Sequence, residues 1–412
     1  MNTELQPTTE AGRKFVALAE EHAADFATRA DQHDREGSFP HENIDALQAS
    51  GYLAGPIPEE FGGMGVRSQL DLGIAMSRLA RGCASTAISA NMHLVAANVI
   101  GRILLWPNQG NPATTAAAEG LGRAIGAKQL IACAPATEAG TYIGSPMTEA
   151  MPVDGGYSIT GRKMFATLSP AANLMFVALR VKNGDGYVNA LAIVPKATPG
   201  VTVLDNWDAM GMRASGSHDV TFEDVRVPAA SLIPGGPWGS LNGAGADMTI
   251  SFNFSLPVCF LGIAEAARAL AVELAMRPKG PKGKRLADRI AIQELIAEIE
   301  IDLAVARAIV ERTGHQMEAY FEQFAPGQAP EQESFALLKE QQCMKYVLQR
   351  KAIDIVDRAM TATGGSAYMA QSPFSRLYRD ARAGPFMQPY APHEALEYIG
   401  KVTLGLDPNL DR

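Results

Sequence analysis

Two short segments of the 412-residue sequence combine hydroxyl, aromatic and charged side chains at close spacing. The first is residues 136–140, A-T-E-A-G, which is followed by residues 161–167, G-R-K-M-F-A-T. The second is residues 207–220, W-D-A-M-G-M-R-A-S-G-S-H-D-V. Thr137, at the end of a predicted strand, can offer a hydroxyl group and a backbone N–H to a bound ligand. We therefore expect these segments to bind and orient a ligand.

The sequence lacks the motifs of several other kinds of site. The four cysteines, at positions 83, 133, 259 and 343, include no C-x-x-C pair, so the sequence predicts no metal cluster and no disulfide framework. Buried free thiols in a reducing cytosol are expected instead. No G-x-G-x-x-G follows a predicted strand and no G-x-x-x-x-G-K-[ST] occurs, so a nucleotide cofactor must be held in another way.

Composition and charge limit the class of protein. Hydrophobic residues make up 47% and charged residues 19%, as in an ordinary globular protein, and a net charge of −8 argues against binding to nucleic acid. Residues 1–13 are polar, without the apolar segment of a signal peptide. The apolar stretch 258–276 is interrupted by Glu265, Arg268 and Glu273, which predicts a buried helix instead of a membrane span. We expect a cytoplasmic protein.

The periodicity of apolar residues divides the chain into three regions. Residues 1–127 have helical spacing, as at Phe15, Leu18 and Ala19. Residues 128–235 contain short runs of aliphatic and β-branched residues between Gly, Pro, Asn and Asp, which favour a β-barrel or a sandwich. Residues 236–412 return to helical spacing, with a stripe from Leu286 to Ala306 long enough for a helical bundle. This order is not βαβ alternation, so a doubly wound nucleotide fold is not expected.

Several motifs in this order resemble the acyl-CoA dehydrogenase superfamily of flavoproteins. Besides the two segments above, they are P-E-E-F-G-G at 58–63, L-A-R-G-C-A-S-T at 79–86, Gly364-Gly365 and R-D-A-R at 379–382. The resemblance extends over nearly the whole chain. It implies an α+β fold with an N-terminal helical domain, a middle β-barrel domain and a C-terminal four-helix bundle.

The resemblance also implies a cofactor and an assembly. The family binds FAD between the β-domain and the C-terminal bundle, and a second subunit closes over the adenine end, so a homodimer or homotetramer is expected. Thr137, Phe165 and Thr167 match the positions beside the flavin ring, although a strand cap, a core aromatic and an exposed hydroxyl are the plainer alternatives. Gly364 and Gly365 match a glycine pair that approaches the FAD of the partner subunit, unless they merely end a helix.

One further cofactor contact is predicted from charge alone. Lys279 belongs to a basic cluster with Lys282, Lys284 and Arg285. The cluster can meet a phosphate of FAD or of CoA, or it can be a solvated loop.

The catalytic position departs from the family pattern. In the family's dehydrogenases a glutamate removes the α-proton of an acyl thioester while hydride passes to flavin N5, and counting from Arg379 places Gln388 there. A neutral amide cannot act as a general base. Phe252-Asn253, at the other position used by some members, offers no carboxylate either. Glu394 is a candidate for a displaced base, or it interacts only with a helix dipole.

The resemblance therefore implies two alternative functions. The first is an FAD-dependent oxidoreductase that takes hydride from an acyl thioester, such as an acyl-CoA, or from a related small acid derivative. In it Gln388 binds and orients the substrate, and an electron-acceptor flavoprotein is the partner. The second is a two-component monooxygenase of a sister branch, in which a flavin reductase supplies reduced flavin and O2 forms a C4a-hydroperoxide.

The second function has its own candidate residue. The sister branch often carries a segment like residues 211–219 and a His near the flavin, which makes His93 a catalytic candidate, although a lone His on an Ala-rich helix is more often structural. A second His is common near the position of Met387, where this sequence has none. A flavin-binding subunit with little catalysis is the third alternative.

Overall fold

The computed structural model describes residues 3–107, 112–142, 144–278 and 283–409. In these ranges twelve α-helices surround one β-sheet. The helices are α1 Glu10–Ala27, α2 Ala30–Glu36, α3 His41–Ser50, α4 Gln69–Gly82, α5 Ala84–Leu104, α6 Pro112–Gly126, α7 Gly243–Phe252, α8 Ser255–Met276, α9 Ile290–Gln323, α10 Glu331–Thr363, α11 Pro373–Ala383 and α12 Pro392–Leu404.

The N-terminal helices follow the predicted apolar spacing. In α1, Phe15, Ala19 and Phe26 are buried on one face, and the helix begins where the Thr9 hydroxyl accepts a hydrogen bond from the Gly12 N–H. Helix α5 is buried along most of its length, and it lies against the first strand of the sheet. Its position brings an N-terminal helix to the ligand-binding side of the middle region.

The middle region forms one mixed sheet of eight strands. They are β1 Ala132–Cys133, β2 Glu149–Val153, β3 Gly156–Ala166, β4 Leu174–Asn183, β5 Gly186–Pro195, β6 Val201–Val203, β7 His218–Pro228 and β8 Leu232–Pro237. The strand order is β6-β7-β3-β2-β4-β5-β8, with β1 paired in parallel to β4. Strands β2 and β8 were not predicted; the L-I-P-G-G-P sequence of β8 has the composition of a loop.

The sheet is irregular where β3 pairs with β7. Strands β3 and β7 are antiparallel, and their register shifts between Lys163 and Ala166. Within the shift, Phe165 has a φ of 54°, a left-handed backbone conformation that bulky residues rarely adopt. The Met164 N–H donates to the Thr137 carbonyl at 2.8 Å, so the bulged strand is tied to the residues that follow β1.

The C-terminal region is a bundle of long helices. Helix α10 packs against α8 and α9, and its buried face carries Leu338, Leu348, Ala352 and Ile355. Residues 324–330 connect α9 to α10 as a loop. The predicted α+β fold class, with helical first and last regions around a β-region, is confirmed; the domain limits 1–127, 128–235 and 236–412 remain predictions.

One helix of the described residues is long and apolar enough to cross a membrane by length and composition. It is α5, and 78% of its most apolar window is buried inside the protein. This burial is typical of a core helix.

The three regions meet at helix α11. The buried Asp380 carboxylate accepts the Met212 N–H at 2.6 Å, and burial raises the pKa of Asp380 to about 6. Arg379 forms an ion pair with Asp34 of the N-terminal region, and Arg213 donates from Nε to the Asp34 carbonyl at 2.8 Å. Residues 207–217 of the β-region are therefore fixed to both helical regions.

The junction leaves no room for a side chain at position 211. A Cβ atom on Gly211 would lie 2.1 Å from the Arg379 carbonyl oxygen. We predict that Gly211→Ala lowers the free energy of unfolding by about 1–3 kcal/mol or more, because the two backbones must separate. Gly120→Ala is the matched control, since no atom lies within 4 Å of its Cβ on α6.

The control should be neutral or should stabilise the helix by about 0.5–1 kcal/mol. Urea unfolding of both variants tests the pair. Equal stability of the two variants would show that the junction is not close-packed.

Candidate active site

A cavity of about 670 Å³ opens between the sheet, helices α5, α7 and α8, and the segment that joins α11 to α12. Four residues predicted from the sequence line it: Thr137, Phe165, Thr167 and Gln388. The remaining wall is largely apolar and is rich in methionine and phenylalanine. It includes Met92, Met210, Met248, Phe252, Phe386 and Met387. This volume and lining are typical of a small-molecule site.

Thr137 and Gln388 contact each other across the cavity. The Gln388 Nε2 donates to the Thr137 Oγ1 at 3.0 Å, although 251 residues separate the two in the sequence. The Thr137 hydroxyl keeps its own hydrogen for a further acceptor. The pair therefore presents an amide and a hydroxyl group to the cavity, which are groups for binding and not for proton abstraction at neutral pH.

Phe165 and Thr167 line the same cavity. The Phe165 side chain is 53% exposed, and its ring meets the Trp207 ring edge-on at 5.9 Å. The Thr167 hydroxyl is 2.7 Å from the Ser217 hydroxyl, which is 2.6 Å from that of Ser215. Packing within the protein does not explain why Phe165 is half-exposed in a left-handed backbone conformation. A flat ligand that lies against its ring would explain both features.

These features fit a flavin. The fused ring needs an aromatic or apolar wall on one face and hydrogen-bonding groups at its polar edge, and Phe165, Trp207, Thr137 and Thr167 supply both around one cavity. The residues present are therefore compatible with the cofactor that the family implies.

A buried ion pair between Lys163 and Glu138 lies next to Thr137 in the chain. Lys163 is fully buried, and its Nζ donates to the Glu138 carboxylate at 2.5 Å. The same carboxylate accepts the N–H groups of Met147 and Thr148 at 2.6 and 2.8 Å. Burial acts to raise the pKa of Glu138, but the charge and hydrogen bond of Lys163 outweigh it, so the pKa is lowered. The carboxylate is thus kept ionised and holds the turn after Thr137.

Acid and base side chains are missing from the described part of the cavity wall. Its lining residues include no Asp, Glu, His, Lys, Tyr or Cys, and the ionisable ones are Arg379 and Arg382. Asn253, at the family's other base position, lines the cavity and donates from Nδ2 to the Thr249 carbonyl at 2.8 Å. Among the described residues, nothing on this wall can accept a proton from carbon.

His93 lies outside the lining, and both of its ring nitrogens are engaged. The Ala132 N–H donates to Nδ1 at 3.0 Å, which fixes the proton on Nε2, and Nε2–H donates to the Leu53 carbonyl at 3.1 Å. Complete burial lowers the pKa of His93 to about 4. The arrangement ties α5 to the first strand, and it favours the structural alternative over the catalytic role predicted from the sequence.

Glu394 also lies outside the cavity wall. Its carboxylate accepts the Ala391 N–H at 2.7 Å, in the first turn of α12. This contact satisfies a free N–H at the helix N-terminus, which is the plainer of the two roles considered for it.

The predicted glycine pair does not reach this cavity. Gly364 ends α10 with a φ of 85°, and Gly365 follows it, with open space around both. Neither lines the cavity. Lys279 lies outside the described residues, so its predicted role stays a prediction.

Lys345 is a residue of the site that sequence reasoning missed. It is buried on α10, and its Nζ donates to the carbonyls of Met387 and Tyr390, the latter at 2.6 Å. These carbonyls flank Gln388, so Lys345 holds the segment that carries it. The available signal was its spacing, because Lys345 continues the apolar series Leu338, Leu348 and Ala352 at helical intervals.

Burial lowers the pKa of Lys345 to about 7. Both forms of the amine can keep the segment in place, since a neutral amine still has two N–H groups for the two carbonyls.

We predict that His93 contributes a loss of stability as the pH falls from 7 to 5, which the raised pKa of Asp380 opposes in the same window. The unfolded chain takes up a proton near the ordinary value of 6.5, whereas the folded chain resists until about 4. The unfolded state therefore binds more protons in this window, and the contribution at pH 5 is about 2 kcal/mol of lost stability. His93→Gln should remove it, as measured by urea unfolding at both pH values.

The exposed His393 provides the control, and His393→Gln should leave the pH dependence in place. If the wild type and His93→Gln lost the same stability between pH 7 and 5, His93 would not be a buried neutral histidine.

We predict that Lys345→Met lowers the free energy of unfolding by about 2 kcal/mol or more, because two buried carbonyls lose their donor. The variant should also bind flavin more weakly, since the segment around Gln388 loses its anchor. Lys339→Met on the same helix is the control; Lys339 contacts only Glu340 in an ion pair, at 2.9 Å, and its loss should cost less than about 1 kcal/mol. Equal effects of the two substitutions on both measurements would contradict this role of Lys345.

Comparison with known proteins agrees with the geometry. Residues 9–103 match the acyl-CoA dehydrogenase N-terminal domain, residues 133–225 the middle domain and residues 255–388 the C-terminal domain. The amino sugar nitrososynthase DnmZ of Streptomyces peucetius is 32% identical over 409 residues, which is 97% of this chain and 95% of that protein.

Two solved structures are similar over the full length. KijD3 in complex with FMN and dTDP-3-amino-2,3,6-trideoxy-4-keto-3-methyl-D-glucose is 30% identical, with a TM-score of 0.91 over 100% of this chain and 98% of that one. The nitrososynthase from Micromonospora carbonacea var. africana is 31% identical, with a TM-score of 0.90 over 98% of this chain and 100% of that one. From these matches and the fold, the protein is a flavin-dependent oxidoreductase that belongs to the acyl-CoA dehydrogenase superfamily.

Proposed function

We propose that this protein is an oxygenase that uses reduced flavin and O2 to oxygenate the primary amine of a small substrate. A nucleotide-linked amino sugar is the first substrate class to test. The observation that carries the proposal is the absence of any proton-accepting side chain among the described residues of the cavity wall. The similarity to nitrososynthases supports the choice of an amine.

Dehydrogenation of an acyl thioester, the first function predicted from the sequence, needs a base that removes the α-proton. At the matching position Gln388 offers an amide whose Nε2 is used as a donor to Thr137. An amide in this arrangement cannot take up a proton from carbon at a useful rate. The wall around it therefore supports oxygenation, the second predicted function, over hydride removal from a thioester.

Oxygenation of an amine makes a different demand on the protein. The amine must be neutral to react through its lone pair, and an apolar wall without a carboxylate disfavours the ammonium form. The methionine and phenylalanine side chains of the wall provide this apolar environment. The cavity thus lowers the pKa of a bound amine without needing a catalytic base.

When bound, a reduced flavin supplies the two electrons and two protons that turn one oxygen atom of O2 into water, while the other oxygen forms the N–O bond. Thr137, Thr167 and Phe165 would hold the flavin ring, and Gln388 would orient ring or substrate through its amide. Lys345 keeps Gln388 in place through the neighbouring carbonyls.

We infer that FMN is the flavin, in place of the FAD predicted from the sequence. The similar protein KijD3 was solved with FMN, which supports this choice. A separate flavin reductase would then be the partner that delivers reduced flavin. The homodimer or homotetramer expected from the family is part of the same proposal.

We predict O2 consumption that depends on both reduced FMN and an amino sugar. The assay mixes the purified chain with photoreduced FMN, then with air-saturated buffer and a dTDP-linked amino sugar, and identifies the hydroxylamine by mass spectrometry with ¹⁸O2. The same sugar with a hydroxyl group in place of the amine is the control and should give no labelled product.

The competing function is tested on the same preparation. Anaerobic bleaching of oxidised flavin by an acyl-CoA, without labelled product in the oxygen assay, would overturn the proposal in favour of dehydrogenation. Flavin binding with neither activity would overturn both and leave the flavin-binding subunit with little catalysis.

A further inference from the structure

A second cleft adjoins the main cavity at helix α11. It has a volume of about 310 Å³ and is bounded by residues of α10, the end of α11 and the beginning of α12. Arg382 and Phe386 belong to the walls of both the cleft and the main cavity. The two spaces therefore share a boundary at these two residues, and a ligand that spanned both would pass beside them.

The described side chains of the cleft are predominantly basic. Its wall contains Lys345, Arg350 and Arg382, against a single carboxylate, Asp354. Lys345 is already engaged by two backbone carbonyls. Arg350 lies over the Tyr346 ring at 4.8 Å and has no carboxylate within ion-pair distance among the described residues. The cleft therefore has a positive charge that its own acidic residue does not balance.

Arg382 stands at the entrance between the two spaces. It is half-buried, and its guanidinium lies 4.8 Å from the centre of the Phe386 ring. Its neighbour Arg379 is paired with Asp34, whereas no carboxylate of the described chain pairs with Arg382. A cation in the last turn of α11 also suits the helix dipole. The guanidinium donates no hydrogen bond to the described part of the chain, and Arg382 lines both spaces.

We propose that the cleft binds a phosphate group of a ligand whose other end occupies the main cavity, and that Arg382 is the principal contact. A guanidinium stacked on an aromatic ring presents a fixed pair of N–H donors, which match two oxygens of a phosphate. Arg350 adds a second positive charge on the same cleft. The unbalanced charge favours a dianionic group over a neutral one.

Two ligands of the proposed function carry such a group: the phosphate of FMN and the diphosphate of a nucleotide-linked sugar. Which of them enters the cleft rests on the proposed function, but phosphate binding itself does not. Binding experiments without turnover therefore separate this inference from the oxygenation reaction. If phosphate binding fails while the oxygen assay succeeds, only this inference is lost.

The experiment compares wild-type protein with Arg382→Gln in equilibrium titrations. The probes are oxidised FMN, riboflavin, which has the same ring without phosphate, and dTDP. If the flavin phosphate enters the cleft, the substitution should weaken FMN binding about tenfold or more and leave riboflavin unchanged, as for the loss of a charge-assisted hydrogen bond. If the nucleotide enters it, dTDP should weaken by that factor instead.

Arg226→Gln is the matched control. Arg226 is exposed on β7, has no carboxylate partner among the described residues and lies outside both spaces, so its replacement should change no affinity. Arg382→Lys keeps the charge but loses the fork, and it should retain part of the binding. It also keeps the test decisive if Arg382→Gln does not fold, as judged by thermal unfolding.

Three results would overturn the inference. Unchanged affinities for both FMN and dTDP in folded Arg382→Gln would show that no phosphate contacts this residue. Equal weakening of FMN and riboflavin, with dTDP unchanged, would show an effect on the ring site alone. Equal weakening by Arg226→Gln would show an effect of overall charge.

Discussion

The cavity depends on one buried contact, the hydrogen bond from the Met212 N–H to the Asp380 carboxylate. It joins the β-region to helix α11, and the adjacent pair of Arg379 with Asp34 joins α11 to the N-terminal helices. Because the contact is buried, it competes with no water, and Gly211 lets the two backbones meet closely. Without this junction the walls of the cavity, which come from three separate regions, would not keep their spacing.

The chemistry follows from what these walls exclude. Where the family's dehydrogenases place a carboxylate, Gln388 donates to Thr137, and the rest of the described wall is apolar or neutral apart from two arginines. Such an environment cannot accept a proton from carbon, and it is compatible with the proposed oxygenation of a neutral amine. Other charged groups hold the residues of the site in place without lining the cavity. Lys163 pairs with Glu138, which follows Thr137, and Lys345 donates to carbonyls on either side of Gln388.

Much of the fold was predictable, and the reason is local. The spacing of apolar residues predicts which regions are helical, as in α1, α9 and α10. Aliphatic runs predict the β-region, as in β4, β5 and β7, and the motifs identify the family. Strands β2 and β8 were not predictable, because β8 owes its pairing to β5 and not to its own propensity. The role of His93 was not predictable either. It depends on hydrogen bonds that join its two ring nitrogens to Leu53 and Ala132, which are distant in the sequence.

The sequence by itself determined the residue types of the site: a hydroxyl at 137, an aromatic at 165, and an amide in place of a carboxylate at 388. Only the tertiary structure decided which of these residues meet and which other charges reach them. Thr137 contacts Gln388 across 251 residues, and Lys345 and Arg382 reach the site from helices whose sequences contain many similar cations. The physical reason is that a side chain's environment is set by long-range packing, which periodicity and motif spacing do not encode.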